Sequence, residues 1–149
     1  MKQIKVNAIK DGTVIDHIAA GKGLKVIGIL NLPESDVVMI GMNLASNKIG
    51  RKDILKIENK ELTQEEVNRI ALISPHATMI IIKDYEVVQK HSLELPGYIE
   101  KLIICPNPKC VTNIEIIESK FQIIDEKPAA VRCVYCEKKY GIDEVKVKI

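Results

Sequence analysis

The sequence has few aromatic residues and no excess of either charge. Only 3% of its 149 residues are aromatic, with a single Phe and no Trp, which argues against a stacking platform for single-stranded nucleic acid. The 22 basic and 20 acidic side chains leave a formal net charge of +2 at pH 7. That balance is too even for a protein that holds nucleic acid by charge alone. We therefore expect no nucleic acid among its partners.

Long apolar runs and an N-terminal leader are missing as well. A membrane-spanning helix needs about 20 apolar residues, whereas residues 79–82 (MIII) are typical of the longest runs in this chain. The first residues, MKQIKVNAIKDG, contain neither an apolar segment of signal-peptide length nor a small-residue cleavage site. These absences predict a cytoplasmic protein with no membrane partner.

The hydrophobic pattern of the first two thirds of the chain predicts an α+β fold. Helical spacing of apolar residues favours helices over residues 21–32 and 63–73, and Thr63 with Glu66 forms a capping box at the start of the second. Alternating or continuous apolar residues favour strands over residues 4–9, 13–18, 37–44, 54–57, 78–82 and 85–88. The order strand, helix, two strands, helix, strand is that of a ferredoxin-like α/β sandwich.

The pair Pro96-Gly97 is the best candidate for a domain boundary. It separates residues 1–97 from residues 98–149, where short strand-like runs cover residues 99–104, 113–117, 121–124, 130–133 and 144–149. A unit of about 50 residues buries too little apolar surface to be stable without a cross-link or a metal. We therefore predict a small antiparallel β domain that a bound metal holds together.

Four cysteines, all in this second region, are the candidate metal ligands. Four residues separate Cys105 from Cys110, two separate Cys133 from Cys136, and 22 lie between the pairs. Two such pairs can turn back on one ion and surround zinc with the four ligands that it prefers. The spacing predicts one structural Zn²⁺, because four thiolates leave no open coordination position for a catalytic water.

Two other uses of these cysteines are open at this point. The four thiols could form two disulfides, although disulfides are rare in cytoplasmic proteins. Cys133 and Cys136 could form a redox-active pair, although they lack the strand-to-helix setting of thioredoxin-like motifs and leave the first pair unexplained. A zinc ribbon is also compatible with a nucleic-acid-binding factor, or with an enzyme, although the chain shows no Ser/His/Asp set and no open metal site.

Four separated motifs decide among these classes. They are residues 6–17 (VNAIKDGTVIDH), 50–59 (GRKDILKIEN) and 85–88 (YEVV), and the cysteine pattern that begins Cys105-Pro-Asn and ends Cys-Val-Tyr-Cys-Glu137. In this order and at this spacing, they resemble the regulatory chain of aspartate carbamoyltransferase over essentially the whole sequence.

The resemblance implies a non-catalytic allosteric subunit that acts in pyrimidine biosynthesis. In that family the N-terminal domain binds CTP as an inhibitor or ATP as an activator, and UTP is a third candidate ligand. The zinc domain docks onto the catalytic chain that joins carbamoyl phosphate to aspartate. Regulatory chains pair through their N-terminal domains and connect two catalytic trimers.

The resemblance also implies which residues bind. Lys90 and His17, with Lys10 nearby, suit the phosphates, Asp16 and Lys56 suit the ribose hydroxyls, and apolar side chains suit the base. The implied nucleotide site is Val6, Ile9, Val14, Asp16, His17, Lys56, Ile82, Tyr85, Val87 and Lys90. Asn107 and Glu137 match positions that touch the catalytic chain.

The chain departs from the family pattern at three positions near these residues. Asn7 stands where the best-known members have an acidic residue, Ile80 stands where they have an amide, and Lys109 replaces a family Asn. Loss of the acid favours polyanion binding, whereas loss of the amide reduces discrimination between bases.

Overall fold

The computed structural model describes residues 8–124 and 129–148. The chain divides into two compact units, Met1–Glu94 and Leu95–Ile149, so the division falls slightly before Pro96-Gly97. Within the described residues, the helices are too short, or too polar, to cross a bilayer.

The first unit is a five-stranded antiparallel sheet with two helices. The elements are β1 (Gly12–Ala19), α1 (Gly23–Leu30), β2 (Val38–Ser46), β3 (Gly50–Glu58), α2 (Gln64–Ile73), β4 (Thr78–Lys83) and β5 (Glu86–Ser92). The strand order is β2-β3-β1-β4-β5, so β3 lies between β1 and β2, the two strands that α1 connects. This order confirms the predicted split β-α-β arrangement and the α+β class.

The strand that we predict over residues 4–9 lies mostly outside the described part of the chain. Residues 1–7 are not described, while Ala8 and Ile9 precede β1 and belong to no strand. Ile9 is nevertheless buried, with 3% of its surface exposed.

The two faces of this sheet differ in what covers them. Ile15, Leu55 and Ile57 are fully buried on the face that carries the helices, together with Val26 of α1 and Ile70 of α2. Since side chains alternate along a strand, the residues between these project from the opposite face. That opposite face, which we call the open face, carries most of the predicted nucleotide-site residues.

Both helices begin on side-chain hydrogen bonds. Thr63 Oγ1 accepts from the Glu66 amide at 3.2 Å, and Glu66 Oε1 accepts from the Thr63 amide at 3.1 Å, which confirms the capping box. At α1 the buried Asp53 of β3 accepts from the amides of Gly21 and Gly23 at 3.1 and 2.8 Å. A side chain from a distant strand therefore satisfies the amides that open α1.

The second unit is a small antiparallel β domain, as predicted. Strands β10-β9-β8-β6 form one sheet and β11-β7 a second, with Phe121, Val131 and Ile103 fully buried. The elements are β6 (Tyr98–Glu100), β7 (Ile103–Ile104), α3 (Val111–Ile114), β8 (Lys120–Ile124), β9 (Ala130–Cys133), β10 (Lys139–Gly141) and β11 (Lys146–Val147).

Two strand predictions in this unit are wrong. Residues 113–117 form no strand, because α3 begins directly after Cys110 and the amide of Asn113 donates to the Cys110 carbonyl at 2.9 Å. Ile116 of this segment is fully exposed, so its β-branched side chain reflects no core position. The run over residues 144–149 holds only the two-residue β11, since Ile142–Glu144 is a 3₁₀ turn and Ile149 lies outside the described residues.

Candidate functional site

The four cysteines meet at one point of the second unit. All four Sγ atoms lie within 4.8 Å of one another, and Cys105, Cys110 and Cys133 are buried. Two of the Sγ–Sγ distances, Cys105 to Cys136 and Cys110 to Cys133, are 3.7 Å. A tetrahedron with metal–sulfur bonds of 2.3 Å has sulfur–sulfur distances of about 3.8 Å, so the cluster fits zinc.

The same distances settle the use of the cysteines. A disulfide requires a sulfur–sulfur distance of about 2.05 Å, and all four cysteines are free thiols. The pair Cys133 and Cys136 also does not stand alone, since each member contacts a cysteine of the first pair. The cluster can hold one metal ion, which would cross-link the two halves of the unit through four thiolates and leave no position for a catalytic water.

Local hydrogen bonds divide the thiols into two kinds. Burial raises the pKa of Cys105 to about 12. Burial also acts on Cys136, but there the Lys138 amide and the Asn107 side chain donate hydrogen bonds and lower the pKa to about 7. Because the ligand form is the thiolate, metal binding releases protons from this cluster.

Asn107 and Glu137, the predicted partner-contact residues, lie on the two metal-binding loops. Asn107 is half-buried between Cys105 and Cys110, and Glu137 is exposed directly after Cys136. Glu137 has a positive φ of 64° and donates its amide to the Cys133 carbonyl at 2.9 Å. The fold of these loops around the thiols therefore determines where both side chains lie.

The open face of the first unit brings the predicted nucleotide residues into one row. Val14 of β1 pairs with Lys56 of β3 on one side and with Ile80 of β4 on the other, and Ile80 pairs with Lys90 of β5. Directly paired residues of an antiparallel sheet project from the same face. Asp16 follows Val14 by two residues and so shares this face.

Cationic groups gather around Asp16, two residues along β1 from Val14, at one end of the open face. The Asp16 carboxylate pairs with Lys52 Nζ at 2.8 Å and accepts from the His17 amide at 2.7 Å. Burial raises its pKa, but these two contacts outweigh that effect and leave the pKa below its usual value. Burial also lowers the pKa of Lys56, with a further contribution from the charge of Lys52.

His17 lies at the same end with its ring held by a neighbouring strand. Its Nδ1 is 3.0 Å from Thr78 Oγ1. Burial lowers the His17 pKa, Asp16 opposes that shift, and the positive charges of Lys52, Lys48 and Lys90 lower it further. Burial and the nearby lysines therefore favour the neutral form of the imidazole.

The other end of the open face is apolar. Ile9, Val14 and Ile54 form a buried cluster against which Ile80 and Ile82 pack. Val87, which pairs with Ile82, is 58% exposed, and the exposed Tyr85 follows at the hairpin between β4 and β5. Lys10 lies here as well, with its carbonyl 2.9 Å from the Tyr85 amide. Its backbone is therefore at the opposite end from His17, and Val6 lies outside the described residues.

Two lysines of the cationic end were not expected from the sequence. Lys52 pairs with Asp16, and Lys48 contributes to the electrostatic field at His17. The alternation of Lys52, Ile54 and Lys56 along β3 was a usable signal, because residues two apart on a strand share a face. Lys48, in the turn before β3, has no such periodicity.

Comparisons with known proteins match both units of the chain. Residues 4–94 match the family described as the aspartate carbamoyltransferase regulatory chain, allosteric domain, and residues 97–146 match its metal binding domain. Among curated relatives, the aspartate carbamoyltransferase regulatory chain of Thermococcus sibiricus is 53% identical over 138 residues, covering 93% of this chain and 92% of the relative.

Two further regulatory chains extend the similarity. The one from Pyrococcus abyssi is 51% identical over 148 residues and covers 97% of both chains. The one from Methanothermobacter thermautotrophicus is 46% identical over 145 residues, or 96% of this chain and 93% of the relative. With both halves matched in order, this non-catalytic chain belongs to the family of aspartate carbamoyltransferase regulatory chains.

Proposed function

We propose that this chain binds CTP or ATP on the open face of its first unit and transmits the binding to an aspartate carbamoyltransferase catalytic chain. The observation that carries the proposal is the arrangement of that face, with cations at one end and apolar side chains at the other. Lys52, Lys56 and Lys90 offer positive charge to a triphosphate, which carries about four negative charges, and the His17 imidazole offers a hydrogen bond. Ile82, Tyr85 and Val87 offer an apolar surface to a base.

Ribose lies beside Asp16 and Lys56 in the proposed pose. Asp16 accepts hydrogen bonds and Lys56 donates them, so the pair suits the hydroxyl groups of a sugar. Ile80, in the middle of the row, offers no hydrogen bond. Base selection therefore depends on backbone groups near Tyr85, and UTP is a further candidate ligand.

The metal centre serves the second half of the proposed function. Asn107 and Glu137 lie on loops whose conformation a bound metal would hold, and we propose that they contact the catalytic chain. We further propose that two copies of this chain pair through their first units and connect catalytic trimers. The cytoplasm suits a protein whose four thiols must stay reduced.

The test is kinetic and uses the reconstituted holoenzyme. We expect CTP and ATP to shift the aspartate saturation curve by several-fold up to about a hundredfold, the scale of a coupling free energy of 1–3 kcal/mol. The isolated catalytic chain, which lacks this subunit, should not respond. Saturation curves that neither nucleotide changes in the holoenzyme would reject the regulatory proposal.

The lowered pKa of His17 predicts how nucleotide affinity depends on pH. A triphosphate beside His17 neutralises the surrounding lysines, so the pKa should be higher in the complex than in the free chain, where it lies below 6.5. The complex then binds more protons, and affinity rises as pH falls from the pKa in the complex toward the pKa in the free chain. Isothermal titration with CTP between pH 8 and pH 6, in several buffers, measures both the affinity and the proton uptake.

The variant His17→Gln is the control for this pH dependence. It keeps the rest of the chain unchanged along with the titrating phosphates of CTP, so it reports the dependence that arises without His17. Equal pH dependence in the two proteins would show that His17 does not gain a proton on binding.

A further inference from the structure

The loop between Cys105 and Cys110 has an unusual shortage of backbone donors. Pro106 and Pro108 have no amide hydrogen, so two of the four intervening residues cannot donate from the backbone. Among the loop's carbonyls, that of Asn107 accepts one backbone hydrogen bond, from the Cys110 amide. The shortage raises the question of which group holds this loop in the conformation that directs both thiols to one metal.

The side chain of Asn113 supplies the missing donors. Its Nδ2 lies 2.8 Å from the Cys105 carbonyl oxygen and 2.8 Å from the Asn107 carbonyl oxygen. A side-chain amide nitrogen carries two hydrogens, so one group can donate to both carbonyls. Because both acceptors are carbonyl oxygens, the nitrogen and not the oxygen of the amide must face them.

Asn113 is itself fixed to the other end of the loop. Its backbone amide donates to the Cys110 carbonyl at 2.9 Å, and the Cys110 amide donates to the Asn107 carbonyl at 3.0 Å. One residue therefore ties the backbone at Cys105, at the middle of the loop and at Cys110. These bonds constrain the backbone of both ligands of the first pair.

We propose that Asn113 is a positioning residue for the metal centre, which closes the Cys105–Cys110 loop and keeps its two thiolates arranged for one tetrahedral ion. Groups that orient metal ligands from outside commonly change metal affinity by tenfold or more. Asn113 bonds to the backbone around the ligands, so it acts on the thiolates indirectly. We therefore expect an effect at the lower end of that range. The proposal requires neither nucleotide nor partner, so it can fail or succeed independently of the proposed function.

The test follows metal transfer from the full-length chain. In Asn113→Asp a carboxylate oxygen replaces the donor and faces two carbonyl oxygens, which it repels. We expect this variant to release zinc to a chromogenic chelator about tenfold faster than the parent chain. In Asn113→Ala, where water can reach the two carbonyls, we expect a smaller increase.

A spectroscopic measurement separates positioning from general stability. Co²⁺ bound in place of zinc reports the coordination geometry through its visible absorption bands, and we expect Asn113→Asp to change their position or intensity. The matched control is Asn68→Asp on α2, where Oδ1 accepts from Gln64 Nε2 at 3.0 Å and remains after the substitution. This control should leave zinc release and the Co²⁺ spectrum unchanged.

Each outcome bears on the proposal. Parental zinc release and a parental Co²⁺ spectrum in Asn113→Asp would overturn it. If Asn113→Asp takes up no metal at all, Asn113→Ala decides: faster zinc release supports positioning, and parental release rejects it. A lower urea midpoint with an unchanged Co²⁺ spectrum would assign Asn113 a structural role only, and would also reject the proposal.

Discussion

Replacement of Cys133 by Ser is expected to unfold the second unit and to leave the first unit intact. Cys133 is fully buried, and its Sγ lies 3.7 Å from that of Cys110. The apparent binding free energy of a structural zinc ion is about 10–16 kcal/mol in small zinc-dependent domains. A unit of this size has little other stabilisation to replace it, so loss of one thiolate should cost most of its structure.

Four measurements follow the Cys133→Ser chain. Elemental analysis should find well under one zinc per chain, circular dichroism should show loss of β structure, and gel filtration should show no association with the catalytic chain. CTP affinity should stay within about twofold of the parent, because the proposed nucleotide site belongs to the other unit.

The control for this experiment is Val134→Ala. Val134 follows Cys133, is 43% exposed and has no part in metal binding, so its truncation tests whether any change in this loop disrupts the unit. A Cys133→Ser chain that retains one zinc and joins the catalytic chain would show that three thiols suffice.

The second large effect is expected from Lys56→Gln, which should weaken CTP binding by about ten- to a hundredfold. Hydrogen bonds that involve a charged group contribute about 1.5–3 kcal/mol, and Lys56 lies at the centre of the proposed site beside Asp16. Because Lys56 is half-buried, water can compensate for the lost ammonium group less well than it could at an exposed lysine. Isothermal titration of the full-length chain at low and physiological salt measures the loss.

The matched control is Lys25→Gln on α1. Lys25 is exposed, and α1 covers the opposite side of the sheet from Lys56, so it carries the same charge without access to the site. An equal, small loss of CTP affinity in both variants, which disappears with added salt, would mean that CTP responds only to the net charge of the chain. Lys90→Gln should fall between the two, because Lys90 shares the open face but is exposed.

The metal centre and the first unit show which features of this protein the sequence alone predicts. Four cysteines at metal-ligand spacing predicted the cluster, because each pair is brought together by a short loop and needs little information from the rest of the chain. The α+β class and the Thr63–Glu66 capping box were predictable for the same reason, since alternation and capping depend on residues close in sequence. Lys56 and Lys90, in contrast, became site residues only through the family resemblance.

What required the tertiary structure is the set of contacts between residues far apart in the chain. Strand register places Lys56, Val14, Ile80 and Lys90 in one row, and that register is established only when strands distant in the chain pair and bury one face. It also joins Lys52 to Asp16, which the sequence analysis missed.

Asp53 and Asn113 show the same principle on single side chains. Asp53 looks like an ordinary strand residue, yet it is fully buried and satisfies the amides that open α1. Asn113 lay in a predicted strand, yet it belongs to α3, which follows Cys110 directly. Its side chain donates to two carbonyls of the loop before Cys110. The sequence therefore determined the chemistry and the types of element, because those depend on neighbours in the chain. Only the folded chain decided which charges and donors meet, because burial and hydrogen bonding across the sheet override local preference.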